Sequence, residues 1–194
     1  FALKRDLSLS DYGIYVKKGD KKTLHKVATE EDFYKFLGMD WIPPEIREDT
    51  GEIEASLKHR LPKLVELKDI KGDLQMHSSF DIETSHDVGV SNMQDLVKKA
   101  NELGYEYIAF TEHNPSKSKH NERQILDLLK KKKNKVDQLN YSIVKNKNGS
   151  IKKVFNSLEI DMLPTGKLPV PEEGFDYLDF ALVSIHSSFK MSKK

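Results

Sequence analysis

Three histidines and one glutamate in the second half of the chain are of the types a divalent metal takes as ligands. Each closes a short apolar run: DLQMH at His77, YIAFTEH at His113, VFNSLEI around Glu159 and FALVSIH at His186. Neutral imidazole and ionised carboxylate suit a borderline cation such as zinc or manganese, and one carboxylate can bridge two ions. Taken singly, a strand-end histidine is as well explained by a hydrogen bond to a serine or by the core. Taken together, the four ends converge only if the runs are parallel strands, because parallel strands gather their C-terminal ends on one side whatever their separation in sequence. The chemistry they describe is metal-assisted hydrolysis at more than one ion.

Glu159 carries the most information, since a carboxylate flanked by Leu158 and Ile160 inside a strand is costly to bury without a cation nearby. The competing reading is an alternating strand in which Glu159 and Asp161 share a solvated face. His86 and Asp87, on the loop after the first strand, are candidates for one further ligand. His25, His59 and His120 lie away from the strand ends and read as surface residues. Gln75 shares a strand face with His77, but an amide is a poor ligand.

The elements that position these residues follow from pattern. YGIYVKK, the turn signal Gly19-Asp20 and TLHKVA form a hairpin, and Thr29 caps a helix over EEDFYKFL that ends at Gly38. Pro43-Pro44 stop that region and permit a new helix from Glu45. A short amphipathic helix over Ile53 to Leu61, ended by Pro62, falls in a charged stretch. The domain boundary falls near Ile70. From Lys71 the rhythm is strand, helix, strand: Ser91 reads as the cap of a helix through Met93, Leu96, Val97, Ala100 and Leu103. HNERQILDLLKKKKNKVDQL reads as a second, basic helix. Four strands alternate with helices or loops, which makes the region α/β.

Composition excludes several classes. The 194 residues include no cysteine, so disulfides and thiolate zinc sites are ruled out, and the formal net charge of +1 gives no general attraction to nucleic acid. Lys130 to Lys133 with Lys135 would suit a phosphate backbone, yet such a run is more often a solvated outer helix face. No P-loop, GxGxxG or GxSxG motif is present. No apolar run reaches membrane-spanning length, and no charged-then-apolar leader opens the chain, so the expectation is a cytoplasmic protein without a membrane partner. The oligomeric state is left open. Phe1 is not a methionine and Lys194 follows soon after a strand, so both ends read as cut.

KGDLQMHS, GYEYIAFTEHNPS, NSLEIDML and DFALVSIHSSF resemble the first part of a PHP (polymerase and histidinol phosphatase) domain. SLSDYGIY, LGMDWIPPEIRED and GEIEA resemble the end of the thumb of a bacterial or archaeal family X DNA polymerase. The resemblance implies residues 1–50 as the end of the thumb subdomain, a small α+β segment, residues 51–70 as a linker, and residues 71–194 as the N-terminal part of a distorted (β/α)7 PHP barrel. It implies a 3′–5′ exonuclease-like phosphoesterase in a DNA repair polymerase, DNA as the parent's partner, and up to three Mn2+ or Zn2+ ions. The Mg2+ of the polymerase site would belong upstream of Phe1. Carried over by motif, His77 binds the first ion, Glu159 bridges the first and second, His186 binds the second, and His113 the third. Asp87 joins the third, with His86 as its rival, and Glu159 and His113 stand at the catalytic centre itself. Two departures follow: Gln75 stands where the family has the first histidine of His-x-His, and the remaining family ligands would come from strands beyond the fourth. The fragment by itself is therefore expected to be inactive. The alternatives are a stand-alone PHP phosphatase of a small phosphomonoester and a non-catalytic scaffold that helps hold the polymerase on DNA.

Overall fold

The computed structural model describes residues 1–146 and 148–186, and they form two compact units, residues 1–65 and the described residues from 66 onward. The first unit contains a three-stranded antiparallel sheet, β1 (Leu7–Ser10), β2 (Gly13–Lys18) and β3 (Lys21–His25), in that order. β2 and β3 are the expected hairpin, closed by Gly19-Asp20, with Gly19 in the left-handed region at φ 58°. Sequence reasoning missed β1, because LSLS is too short and polar to register as a strand by itself. Helix α1 (Glu30–Phe36) starts where expected, with Thr29 Oγ1 accepting from the Asp32 amide at 3.1 Å. Instead of a helix from Glu45 there is one 3-10 turn, Pro44–Ile46, since the Arg47 backbone leaves helical geometry.

The core of this unit is Ile14, Leu37, Met39 and Ile42. Helix α2 (Glu52–Leu57) adds Ile53 and Leu57, and Leu61 follows, so part of the stretch read as a linker packs on this core. The helix ends at Leu57, well before Pro62, and His59 just beyond it takes φ 55° with its ring on the Asp40 carboxylate at 2.7 Å. Across the surface, Arg47 grips Glu30 through both guanidinium nitrogens at 2.7 and 2.8 Å, and Trp41 Nε1 donates to the same carboxylate at 2.9 Å.

The second unit is a four-stranded sheet whose spatial order equals its chain order: β4 (Gly72–Met76), β5 (Tyr107–Phe110), β6 (Lys153–Asp161) and β7 (Phe180–Ser184), all parallel. Helix α3 (Met93–Glu102) links β4 to β5 and α4 (Glu122–Asn146) links β5 to β6. The cap of α3 is Asn92, not Ser91: its Oδ1 accepts from the Asp95 amide at 2.9 Å, the reach an Ncap side chain needs. Asn121 and Gln124 cap α4 reciprocally, each side-chain oxygen accepting the other's amide. The helix runs past Leu139, the end of the expected pattern. Met93, Ala100, Val136 and Leu139 from the helices pack on Ile108, Phe110 and Val154 of the strands, and a second cluster joins Ile125 and Leu129 to Leu158 and Ile160. Helices therefore cover one sheet face, and the other face carries Gln75, Ala109, Ser157 and Glu159. Among the described residues no helix is long and apolar enough to cross a membrane.

The Arg47 and Trp41 hydrogen bonds hold the Glu30 carboxyl at about 2, against an ordinary value of 4.5. A depressed carboxyl contributes stability that is complete above its unfolded value and is lost as pH falls through the folded one. Urea midpoints followed by the fluorescence of Trp41, the only tryptophan, should fall between pH 5 and pH 2, and Glu30→Gln should flatten that decline.

Candidate metal centre

The parallel pairing of β5 with β6 does not stop at Phe110. The Glu159 amide donates to the Glu112 carbonyl at 3.1 Å and the Asn114 amide donates to the Glu159 carbonyl at 3.2 Å, which sets His113 directly beside Glu159. The expected strand YIAFTEH is thus shorter, and His113 sits on an extension of it. His77 follows β4 immediately, and His186 comes two residues after β7. All four strand ends meet at one end of the sheet.

Glu159 lies at the middle, 4% exposed, which rules out the solvated-face alternative. Its Oε2 accepts from Gln75 Nε2 at 2.8 Å and lies 3.2 Å from His77 Nε2; its Oε1 accepts from Ser184 Oγ at 2.7 Å and lies 3.2 Å from His186 Nε2. Burial pushes this carboxyl up, but the hydrogen bonds from Ser184, Gln75 and His77 outweigh it and hold the group at about 2. His113 is 2% exposed, and burial pushes its imidazole down, against the pull of Asp161, so it is held toward the neutral form a metal requires.

Asp161, which sequence reasoning considered only as a solvated companion of Glu159, enters the site. Its Oδ1 is 2.6 Å from His186 Nδ1 and 3.4 Å from His113 Nδ1, and its Oδ2 is 3.4 Å from His86 Nε2. The two-residue period along β6 places it on the face of Glu159, and that was the signal that could have found it. His86, held in the first loop, lies with its ring tilted 46° to that of His113, the ring centroids 4.1 Å apart. Asp87 stays at the rim: its carboxylate is 3.8 Å from His113 Nε2, its side chain is 76% exposed and its backbone is left-handed at φ 48°. Two groups thus bring ligand atoms within 4.8 Å of one another: His86, His113, Asp161 and His186 form one, and His77, His113 and Glu159 the other. Among the described residues, His113 Nδ1 and His86 Nε2 are buried without a hydrogen-bond partner. Such orphaned nitrogens fit a cation, which would take their lone pairs, better than a closed hydrogen-bond network.

Two supports hold the ends together. The first loop crosses so close to β4 that a Cβ on Gly89 would lie 2.1 Å from the His77 carbonyl oxygen, a backbone approach only glycine permits. Beneath the site, Lys132 is fully buried, contrary to the expected outer face for that lysine run. Its Nζ reaches Glu112 Oε2 at 2.6 Å and donates to the Phe110 carbonyl at 2.9 Å and to the Ser157 carbonyl. Glu112 in turn accepts from the Ser78 amide and hydroxyl. His120 is likewise not a surface residue: its side chain is 7% exposed, bridging the Ser116 carbonyl and Glu83 at 2.8 and 2.7 Å. His25 and His59 are exposed, as expected.

Residues 1–48 match the family model described as DNA polymerase beta thumb. Over 189 residues, 97% of the chain, the sequence is 31% identical to a protein of Bacillus subtilis (strain 168) named DNA polymerase/3'-5' exonuclease PolX. The chain spans about 30% of the length of that relative.

Removing one partner of a buried ion pair strands the other charge, at a cost of roughly 3–5 kcal/mol. Lys132→Met should therefore lower the stability of the second unit by about that much in denaturant titrations. Lys132→Met combined with Glu112→Leu should recover a large part of the loss.

Proposed function

This chain belongs to the family X DNA polymerases, and from that premise we propose that its second unit is the N-terminal part of a PHP phosphoesterase module, a partial (β/α)7 barrel that removes nucleotides from DNA 3′ ends. The first unit is the end of the thumb, which meets the DNA. The observation that carries the reading is the convergence of His77, His86, His113 and His186 on Glu159 and Asp161 at the C-terminal end of one parallel sheet. Parallel α/β sheets bind their ligands at that end.

Divalent ions bound there, manganese or zinc, would supply positive charge to the phosphoryl oxygens and make water acidic enough to act as a nucleophile near neutral pH. The residues do the rest. Glu159, kept ionised, lies between His77 on one side and His186 on the other, so both its oxygens are available as ligands. His113 offers a neutral nitrogen from a dry position, and Ser184 fixes the rotamer of Glu159. Of the residues the resemblance nominates, His77, His113, Glu159 and His186 are the ligands of this reading, and Asp87 at the rim is the one placed to meet the incoming strand.

A second reading has one observation in its favour. Gln75 donates to Glu159 from the position where the family pattern has a histidine, so the module could serve as a scaffold that holds the polymerase on DNA without hydrolysing it. The two are separated by measuring manganese-dependent release of nucleotides from a 3′ end by the full-length protein. Hydrolysis should be present, and Glu159→Ala should reduce it roughly 100-fold or more, about 2.7 kcal/mol at the transition state. Wild-type protein without metal-dependent hydrolysis would leave the scaffold.

A further inference from the structure

We infer that the tip of the β2–β3 hairpin, with Lys17, Lys18, Lys21 and Lys22, enters the major groove of a DNA duplex and holds the phosphates on both of its walls. The inference rests on the reading of the first unit as a thumb that meets DNA, and it adds the place and manner of one contact.

Cross-strand register carries it. Lys17 lies directly opposite Lys22, and Lys18 directly opposite Lys21. Like charges so placed repel and weaken a hairpin, and here two such pairs follow one another. Among the described residues none of these four ammonium groups meets a carboxylate, whereas lysines elsewhere, such as Lys133 and Lys152, do. Asp20, the one acid in the turn, is exposed and forms no ion pair among the described residues either. The unit does not lack acids, but it gathers Glu30, Glu31 and Asp32 in the first turn of α1. Charge on exposed strand edges also keeps other chains from pairing there. One lysine opposite one glutamate would do that equally well, with attraction in place of repulsion. A row of phosphates beside the ammonium groups removes the repulsion that the register creates.

The shape of the tip selects the kind of anion. Val16 pairs with Leu7 at the start of β1, so beyond it the hairpin runs on as two strands alone, and residues 17–23 are all exposed. Side chains alternate between the faces of a strand, which puts Lys17 and Lys22 on one face and Lys18 and Lys21 on the other. Binding flat on a surface would use one face only. Cations on both faces suit a cleft with anionic walls, and the major groove of DNA, about 12 Å wide and about 8.5 Å deep, admits a two-stranded ribbon. From Lys17 to the turn, at about 3.3 Å per residue, the free ribbon reaches roughly 8–10 Å, the depth of that groove. Phosphate contacts carry no sequence information, so any B-form duplex is a target. The deep, narrow major groove of duplex RNA shuts the ribbon out.

The test is duplex binding by the full-length protein, followed by fluorescence anisotropy of a labelled DNA over a range of salt. Lys17→Gln with Lys22→Gln, and Lys18→Gln with Lys21→Gln, should each reduce the slope of log affinity against log salt by about 1.8, at about 0.9 per phosphate contact. Raising salt from about 50 to about 200 mM should then cost each variant roughly tenfold less affinity than it costs the wild type. Arginine at the same positions should keep the wild-type slope. Guanine N7, a major-groove atom, should be protected from dimethyl sulfate by the wild type and become reactive with the Gln variants, while binding to duplex RNA stays unchanged. Each Gln pair relieves a repulsion, so urea midpoints by circular dichroism should equal or exceed the wild type, which separates lost binding from lost folding. Unchanged slopes in both variants, with wild-type binding intact, overturn the hairpin contact and leave the thumb reading standing. A fall in one variant only, or unchanged N7 protection, overturns entry into the groove. A wild type that binds no duplex overturns the thumb reading itself.

Discussion

A single ammonium group enclosed in the second unit ties together three of the four ligand-bearing strand ends. Lys132 reaches through the apolar layer between α4 and the sheet and ends on Glu112 and on carbonyls of Phe110 and Ser157. Burial pushes this lysine down, and the Glu112 carboxylate works against that push. Since an uncompensated charge in such a place is far costlier than a lost surface contact, the geometry around it is rigid. Glu112 is one residue from His113, Ser157 is two from Glu159, and Ser78, the other partner of Glu112, follows His77. One cation thus sets the spacing of three ligand-bearing strand ends without touching the site itself.

Above that layer the chain assembles an excess of ligands, buried at Glu159 and His113 and open to solvent at His186. Four imidazoles and two carboxylates could have neutralised one another, and in part they do, as the His186–Asp161 and His77–Glu159 contacts show. Gln75 softens the imbalance by supplying a neutral donor to Glu159, so the first strand contributes order to the site and fewer ligands.

The sequence made the parallel strands, the helices and the convergence of His77, His113, Glu159 and His186 legible, because alternation and helical spacing are local and the strand-end rule needs only chain direction. It made Lys132 legible too, had the helical wheel been followed: at about 100° per residue, position 132 falls inside the stripe formed by Ile125, Leu128, Leu129, Val136 and Leu139. Residue type concealed it, since one lysine in a run of four looks like solvent-facing charge. The short strand LSLS and the shift from Ser91 to Asn92 depended on pairing and backbone angles that composition does not encode. His86 depended on the path of a loop held by Gly89, which no periodicity describes.

The strand order β4-β5-β6-β7 is also the order of synthesis. Each strand leaving the ribosome has its neighbour already in place, so the sheet can grow from one side with short loop closures and no late insertion of a central strand. The ligands therefore arrive as a series, His77 first, then His113, then Glu159 and Asp161, and His186 last. An ion requiring His186 cannot be captured until β7 has docked. Since ion binding and chain ordering share one free energy, uptake of that ion would report the completion of this part of the fold, and a chain stalled one strand early would lack it.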